Sequence, residues 1–176
     1  MTIIASYRSA DGETWLGSDT RVTSEGFIYP VRLEKWARMG RWALALTGSQ
    51  AGQELAARHS AEIADCEDAP RVALLLHEAM GKADWERLEN KGGSALYATT
   101  GILVSTDGLW LLSGNGCVDA PAWGFLASGS GEDFAYGAAF VGHRMEYPPH
   151  AIVRDAVRAA IEFRSDCGGD VVVERF

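Results

Sequence analysis

Apolar and polar positions divide the chain into strand-like and helix-like blocks. Residues 3–7, Ile-Ile-Ala-Ser-Tyr, form a β-favouring apolar run almost at the N-terminus and predict a first strand. Asp11-Gly12 is a hairpin signal, and 14–17 reads as the returning strand. Residues 18–23 are polar but contain β-formers, and Ser24-Glu25-Gly26 reads as a turn. A further hairpin is predicted over 35–39 and 42–47, with Gly40-Arg41 at its tip. Hairpins this tight join only antiparallel strands. After Gly48-Ser49-Gln50 the pattern changes to helix over 51–65, rich in Ala, Leu and Glu. A second helix is predicted from Pro70 to about Leu88, with Val72, Leu75, Leu76 and Met80 on one face and Asn90-Lys91-Gly92-Gly93 closing it.

Strands return over 96–105 and 109–112, joined by the turn Thr106-Asp107-Gly108, and again over 124–127. Helices are predicted over 132–143 and 151–163, separated by Tyr147-Pro148-Pro149. Gly168-Gly169 leads to a last strand over 170–174. Separate blocks of antiparallel strands and helices predict a layered α+β domain spanning 1–176, two stacked sheets with a helix pair outside each. Neither a linker nor an internal repeat divides it.

Apolar residues make up 47% of the 176, enough for a globular core. A formal charge of −8 and a pI near 5.0 argue against a nucleic-acid partner. No apolar run is long enough to span a bilayer, and no basic segment with a cleavage site opens the chain. The expectation is a cytoplasmic protein with neither membrane nor nucleic-acid partner. Cys66, Cys117 and Cys167 are odd in number and far apart, so they read as free thiols and small hydrophobes. His59, His77, His143 and His150 lack metal-ligand spacing, and most of them read as solvated helix residues. No cofactor is expected. Gly129-Ser130-Gly131 follows a strand and opens a helix, but Phe134 stands where a dinucleotide fingerprint needs glycine. Neither a P-loop nor a Gly-x-Ser-x-Gly elbow is present.

What remains is Thr2, Asp19 and Lys35. Removal of Met1 would leave a hydroxyl and a free amine on one residue, a nucleophile with its own base. The α-amino pKa of roughly 7.7–8.0 leaves much of that amine neutral near cellular pH. Asp19 and Lys35 fall at or near strands of the first sheet. A buried lysine there would depress the amine pKa and favour the ionised hydroxyl. Taken alone, the two read as a surface ion pair.

Together these residues resemble the proteasome β-subunit family and its bacterial ring-protease relatives. The Thr start, Gly17-Ser18-Asp19-Thr20-Arg21-Val22-Thr23 and Lys35 resemble that family's nucleophile, acid and lysine in order and spacing. Leu46-Thr47-Gly48-Ser49 resembles its substrate-strand segment, residues 129–137 its serine-bearing helix start, and Cys167-Gly168-Gly169 with Val171-Val172-Val173 its C-terminal segment. The resemblance implies a four-layer αββα sandwich, the N-terminal nucleophile hydrolase fold, and a threonine endopeptidase. It implies Thr2 as nucleophile, Lys35 as the positive charge, Asp19 as its orienting acid and Ser130 as a hydrogen-bonding partner near the amine. The Gly48 N–H would stabilise the oxyanion, Thr23 would pair with extended substrate, and Val22, Leu33 and Leu46 would line an apolar specificity pocket with Gln50 at its rim. Assembly into a homo-oligomeric ring, a stacked pair, acting on peptide or unfolded protein beside a separate ATPase unfoldase, belongs to the same expectation.

The pattern departs from the family at its C-terminal acid. Arg164 occupies that place and Asp166 lies two residues on. Arg164 is expected to turn outward, with either Asp166 taking over part of the role or the site working without it, so that Arg164→Asp would raise the rate and Asp166→Ala lower it. The family also often carries Ser or Thr where Cys167 stands. Retained Met1 would block the amine. The alternatives are then a ring-forming structural or binding protein without activity, or a small-molecule amidohydrolase on the same fold.

Overall fold

The computed structural model describes residues 2–24, 27–48, 50–82, 87–89, 95–97, 100–113 and 116–176. In chain order the elements are β1 (Ile3–Arg8), β2 (Thr14–Asp19), β3 (Arg21–Ser24), β4 (Phe27–Arg32), β5 (Trp36–Met39), β6 (Trp42–Thr47), α1 (Gln50–Arg58), α2 (Ser60–Ala64) and α3 (Ala69–Lys82). They continue as β7 (Arg87–Glu89), β8 (Ala95–Tyr97), β9 (Thr100–Val104), β10 (Leu109–Ser113), β11 (Gly116–Asp119), β12 (Phe125–Gly129), α4 (Glu132–Arg144), α5 (Pro149–Phe163) and β13 (Val171–Arg175). One sheet has the order β12-β1-β2-β13 and the other β11-β10-β9-β6-β5; all the pairings are antiparallel.

Three buried clusters define four layers. Ile3, Ala5 and Tyr7 of β1 pack with Ala135 and Ala139 of α4 and Ile152, Val153, Ala156 and Val157 of α5. Ile4 points the other way, into the space between the sheets, with Leu16, Ala43, Ala45, Ile102, Val104 and Leu126. On the far side Trp42, Leu44 and Leu46 of β6 meet Ala56, Ile63, Val72 and Leu76 of α1, α2 and α3. Each central strand is therefore covered on both faces, which is why β1 and β6 are continuous apolar runs instead of alternating ones. Gly17 lets α5 approach β2, since a Cβ there would fall 2.7 Å from Val153 Cγ1. The αββα arrangement matches the expected fold class.

Several elements differ from the expectation. The helix predicted over 51–65 is two, α1 and α2, broken at His59, whose N–H is shared between the Leu55 and Ala56 carbonyls. The second helix stops at Lys82, and Arg87–Glu89 is a strand, its charged-apolar-charged order being of period two. The predicted strand over 96–105 falls on β8 and β9. The strands β4 and β11 were not expected. Phe27, Ile28 and Tyr29 of β4 are all exposed, so no alternation marks it, and Pro30 is tolerated because β4 lies in a two-stranded sheet with β3. The turn at Glu25-Gly26 and the closing Asn90-Lys91-Gly92-Gly93 lie outside the described residues. His143 is not simply solvated: half-buried, its Nδ1 lies 3.0 Å from the Tyr7 hydroxyl. All three cysteines are free, with Cys66 and Cys167 buried. Among the described residues no helix is long and apolar enough to cross a membrane.

Candidate active site

Thr2 lies immediately before β1, Asp19 ends β2, and Lys35 immediately precedes β5. Thr2 and Asp19 thus belong to the four-stranded sheet, but Lys35 enters from the five-stranded one, a correction to the placement of all three in one sheet. The Thr2 hydroxyl donates to Asp19 Oδ1 at 2.9 Å, and the Ile3 amide to the same oxygen at 3.0 Å. The Lys35 ammonium reaches that oxygen at 2.5 Å. The Gly168 amide donates to Oδ2 at 2.9 Å. Asp19 is fully buried, Lys35 is 4% exposed and Thr2 8%. The surface ion pair suggested by Asp19 and Lys35 alone is therefore overturned. Four donors on one carboxylate offset the cost of taking it out of water. Burial pushes the Lys35 ammonium below its ordinary pKa, while the Asp19 carboxylate and the Cys167 thiol pull it back up.

The second half of the site comes from the end of β12 and the loop after α5. The Ser130 amide donates to the Thr2 carbonyl at 3.0 Å. This approach needs Gly129, which has φ +115° and whose Cβ would fall 2.1 Å from that same carbonyl oxygen. The Ser130 hydroxyl donates to Asp166 Oδ1 at 3.1 Å and lies 3.6 Å from Cys167 Sγ. Arg164 leans over the outside, with Nη2 donating to Asp166 Oδ2 at 3.4 Å and its side chain 41% exposed. Burial pushes the Cys167 thiol up, and the contact with Ser130 opposes it.

The structure thus brings together Thr2, Asp19, Lys35, Ser130 and Asp166. Gly48 lies at an exposed left-handed bend, φ +99°, between β6 and α1. Val22 and Thr23 are half-buried on β3, and Leu33 is half-buried with its amide donating to the Thr20 carbonyl at 3.2 Å. Leu46 is buried beneath α1 beside a small cavity shared with Trp36, Met39 and Gln53. Gln50 opens α1, and its side chain lies outside the described residues, as does Met1. Sequence reasoning missed the Gly168 amide, Gly129 and Gln53. The Gln53 amide donates to the carbonyls of Lys35, at 3.3 Å, and Leu46, at 3.2 Å, and so ties the lysine segment to β6. Glycines at 129 and 168 were visible as turn signals, but which backbone they admit is a tertiary fact. Among the described residues, no three His, Cys, Asp or Glu side chains are grouped to hold a metal ion.

The sequence matches no family model and no curated protein. Solved structures share its fold. BPH from Thiobacillus denitrificans in complex with epoxomicin is 22% identical, with a TM-score of 0.82 over 99% of this chain and 98% of that one. The same protein alone is 23% identical, TM-score 0.82, over 99% and 97%. Eukaryotic HslV from Trypanosoma brucei is 23% identical, TM-score 0.78, over 99% and 98%. The chain therefore has the proteasome-type N-terminal nucleophile hydrolase fold along nearly its whole length.

Proposed function

We propose that the chain is a threonine-type endopeptidase subunit of a self-compartmentalising homo-oligomeric ring. The observation that carries this reading is the convergence of the Thr2 hydroxyl and the Lys35 ammonium on one oxygen of buried Asp19. Removal of Met1 is part of the proposal and frees the Thr2 amine. That amine accepts the hydroxyl proton, directly or through water, as Thr2 Oγ1 attacks the scissile carbonyl. The Gly48 N–H faces the developing oxyanion, a contribution of about 3–4 kcal/mol per donor in other hydrolases. Collapse passes the proton to the leaving amine and leaves an ester on Thr2, which water hydrolyses. Lys35 supplies positive charge, Asp19 orients it, and Ser130 with Asp166 supports the amine. Thr23 on β3 pairs with an extended substrate by strand addition. Val22 and Leu33 line the acyl-side pocket, Leu46 backs it and Gln50 stands at its rim, favouring apolar residues before the cut. Unfolded protein is the substrate, presented by a separate ATPase.

The test joins intact mass to activity. The mature chain should begin at Thr2 and cleave apolar peptides, and epoxomicin should raise its melting temperature. Thr2→Ala should lose both cleavage and the epoxomicin response while assembling normally. Cleavage that survives in Thr2→Ala would sink the assignment. One observation favours a second reading, a ring-forming protein without activity: the Thr2 hydroxyl is nearly buried and already donated to Asp19. An intact mass that retains Met1, with no cleavage, selects that reading.

A further inference from the structure

The loop after α5 carries the Asp166 carboxylate, the Cys167 thiol and the Gly168 amide to the site, yet residues 164–170 have no regular structure of their own. Their position is fixed from the start of β3. The Arg21 guanidinium donates through Nη1 to the carbonyls of Ser165, at 3.1 Å, and Cys167, at 2.9 Å. The Arg21 amide donates to the Gly168 carbonyl at 3.0 Å. Gly168 is shaped to this contact: a Cβ there would lie 2.1 Å from Arg21 Cζ and 2.4 Å from Nε and Nη2. The guanidinium therefore rests on the bare face of Gly168, and the two N–H groups of Nη1 serve the two carbonyls. Next to it, Thr20 and Asp170 exchange hydrogen bonds, the Thr20 amide to the Asp170 carbonyl at 3.1 Å and the Asp170 amide to Thr20 Oγ1 at 2.9 Å.

We propose that Arg21 is a positioning residue that clamps 165–168 against the end of β2, so that one side chain sets the Gly168 amide on Asp19 and the Asp166 carboxylate on Ser130 together. Two sites that look separate in the sequence are then one unit. The clamp rests on the peptidase reading only for its kinetic consequences, and its structural consequence can be read without activity. Cys167 lies inside the clamped segment at 1% exposure, while Cys66 is 7% exposed in the distant helix-side core. Faster thiol alkylation at Cys167 with Cys66 unchanged therefore reports local opening instead of loss of the whole fold.

The experiment is iodoacetamide labelling of the native full chain, with each cysteine followed by peptide mass spectrometry. In Arg21→Ala, Cys167 labelling should speed up about tenfold or more, the size expected for losing hydrogen bonds from a charged donor, while Cys66 stays unchanged. Gly168→Ala, which keeps Arg21 but displaces its guanidinium, should do the same, and Arg21→Lys should fall between. Unchanged Cys167 labelling in Arg21→Ala overturns the clamp. Equal acceleration at Cys66 overturns a local role, because it reports loss of the whole fold. The kinetic arm uses the mature peptidase. The titratable groups facing Lys35 are Asp19 from β2 and Cys167 from the loop. Opening the loop hydrates Lys35, so the pH limb it governs should move to higher pH in Arg21→Ala, with kcat reduced more than KM. A wild type without cleavage defeats the peptidase reading and leaves the labelling result to decide the clamp.

Discussion

Lys35 keeps 4% of its surface in solvent and places its ammonium on Asp19, which keeps none. Lys35→Met leaves a buried carboxylate without its cation and should cost about 3–5 kcal/mol in urea unfolding, while Asp19→Asn in the same chain should restore most of it. Burial lowers the Lys35 pKa below the ordinary 10.5. Between those two values the unfolded chain holds a proton that the folded chain has released, so stability contributed through Lys35 rises as pH rises through the window. Comparison of the wild type with the Asp19→Asn, Lys35→Met double variant should show that slope only in the wild type. Asp166 receives the Ser130 hydroxyl while Arg164 holds its other oxygen from outside. Asp166→Ala should therefore slow peptide cleavage. The sequence alone suggested that Arg164→Asp would raise the rate, but a second carboxylate in place of the cation that steadies Asp166 should lower it instead. A faster Arg164→Asp variant would show that the Arg164–Asp166 contact has no part in the proposed turnover. The order Thr2, Asp19, Lys35 was legible as a pattern. Its burial was not, because nothing local distinguishes a buried aspartate from a solvated one.

At the scale of elements, legibility follows burial. The strands β1, β2 and β6 and the helices α4 and α5 announce themselves because each presents an apolar run or face to a core. The strands β4 and β11 do not, since Phe27, Ile28, Tyr29 and Val118 are exposed and their pattern is set by edge pairing. The joint between β12 and α4 was readable as a glycine turn, yet its purpose lies in the Thr2 carbonyl opposite. Gly129→Ala meets that carbonyl in a left-handed conformation. It should cost at least about 1–3 kcal/mol from backbone strain alone, measured as a lowered urea midpoint, and should disturb the site before it disturbs the helices. A variant with wild-type stability would mean that the β1 start yields easily.

At the scale of the whole molecule, exposed apolar side chains gather in two places among the described residues. One comprises Phe27, Ile28 and Tyr29 on β4, the other Phe140 and Val141 on α4, Met145 just after it, and the stacked pair Phe134–Phe163 from α4 and α5. The proposed ring gives both a place to be buried, and native mass at micromolar protein should show many subunits. A persistent monomer would contradict it. The layer order followed from the sequence because blocks of strands and helices leave few ways to cover two sheets. How the sheets are pinned to one another did not. Thr47 on β6, Thr100 on β9 and Ser128 on β12 stand with their hydroxyl oxygens 2.7, 3.0 and 3.0 Å apart, a closed triangle joining the two sheets beside the site. Each hydroxyl can both give and take, so the protons can circulate in either sense without breaking the ring. None of the three ionises in the range where Lys35 does. The sheets should therefore keep their alignment through a change of pH that reorganises the charges between them, and the site can lose its chemistry in alkali without losing its frame.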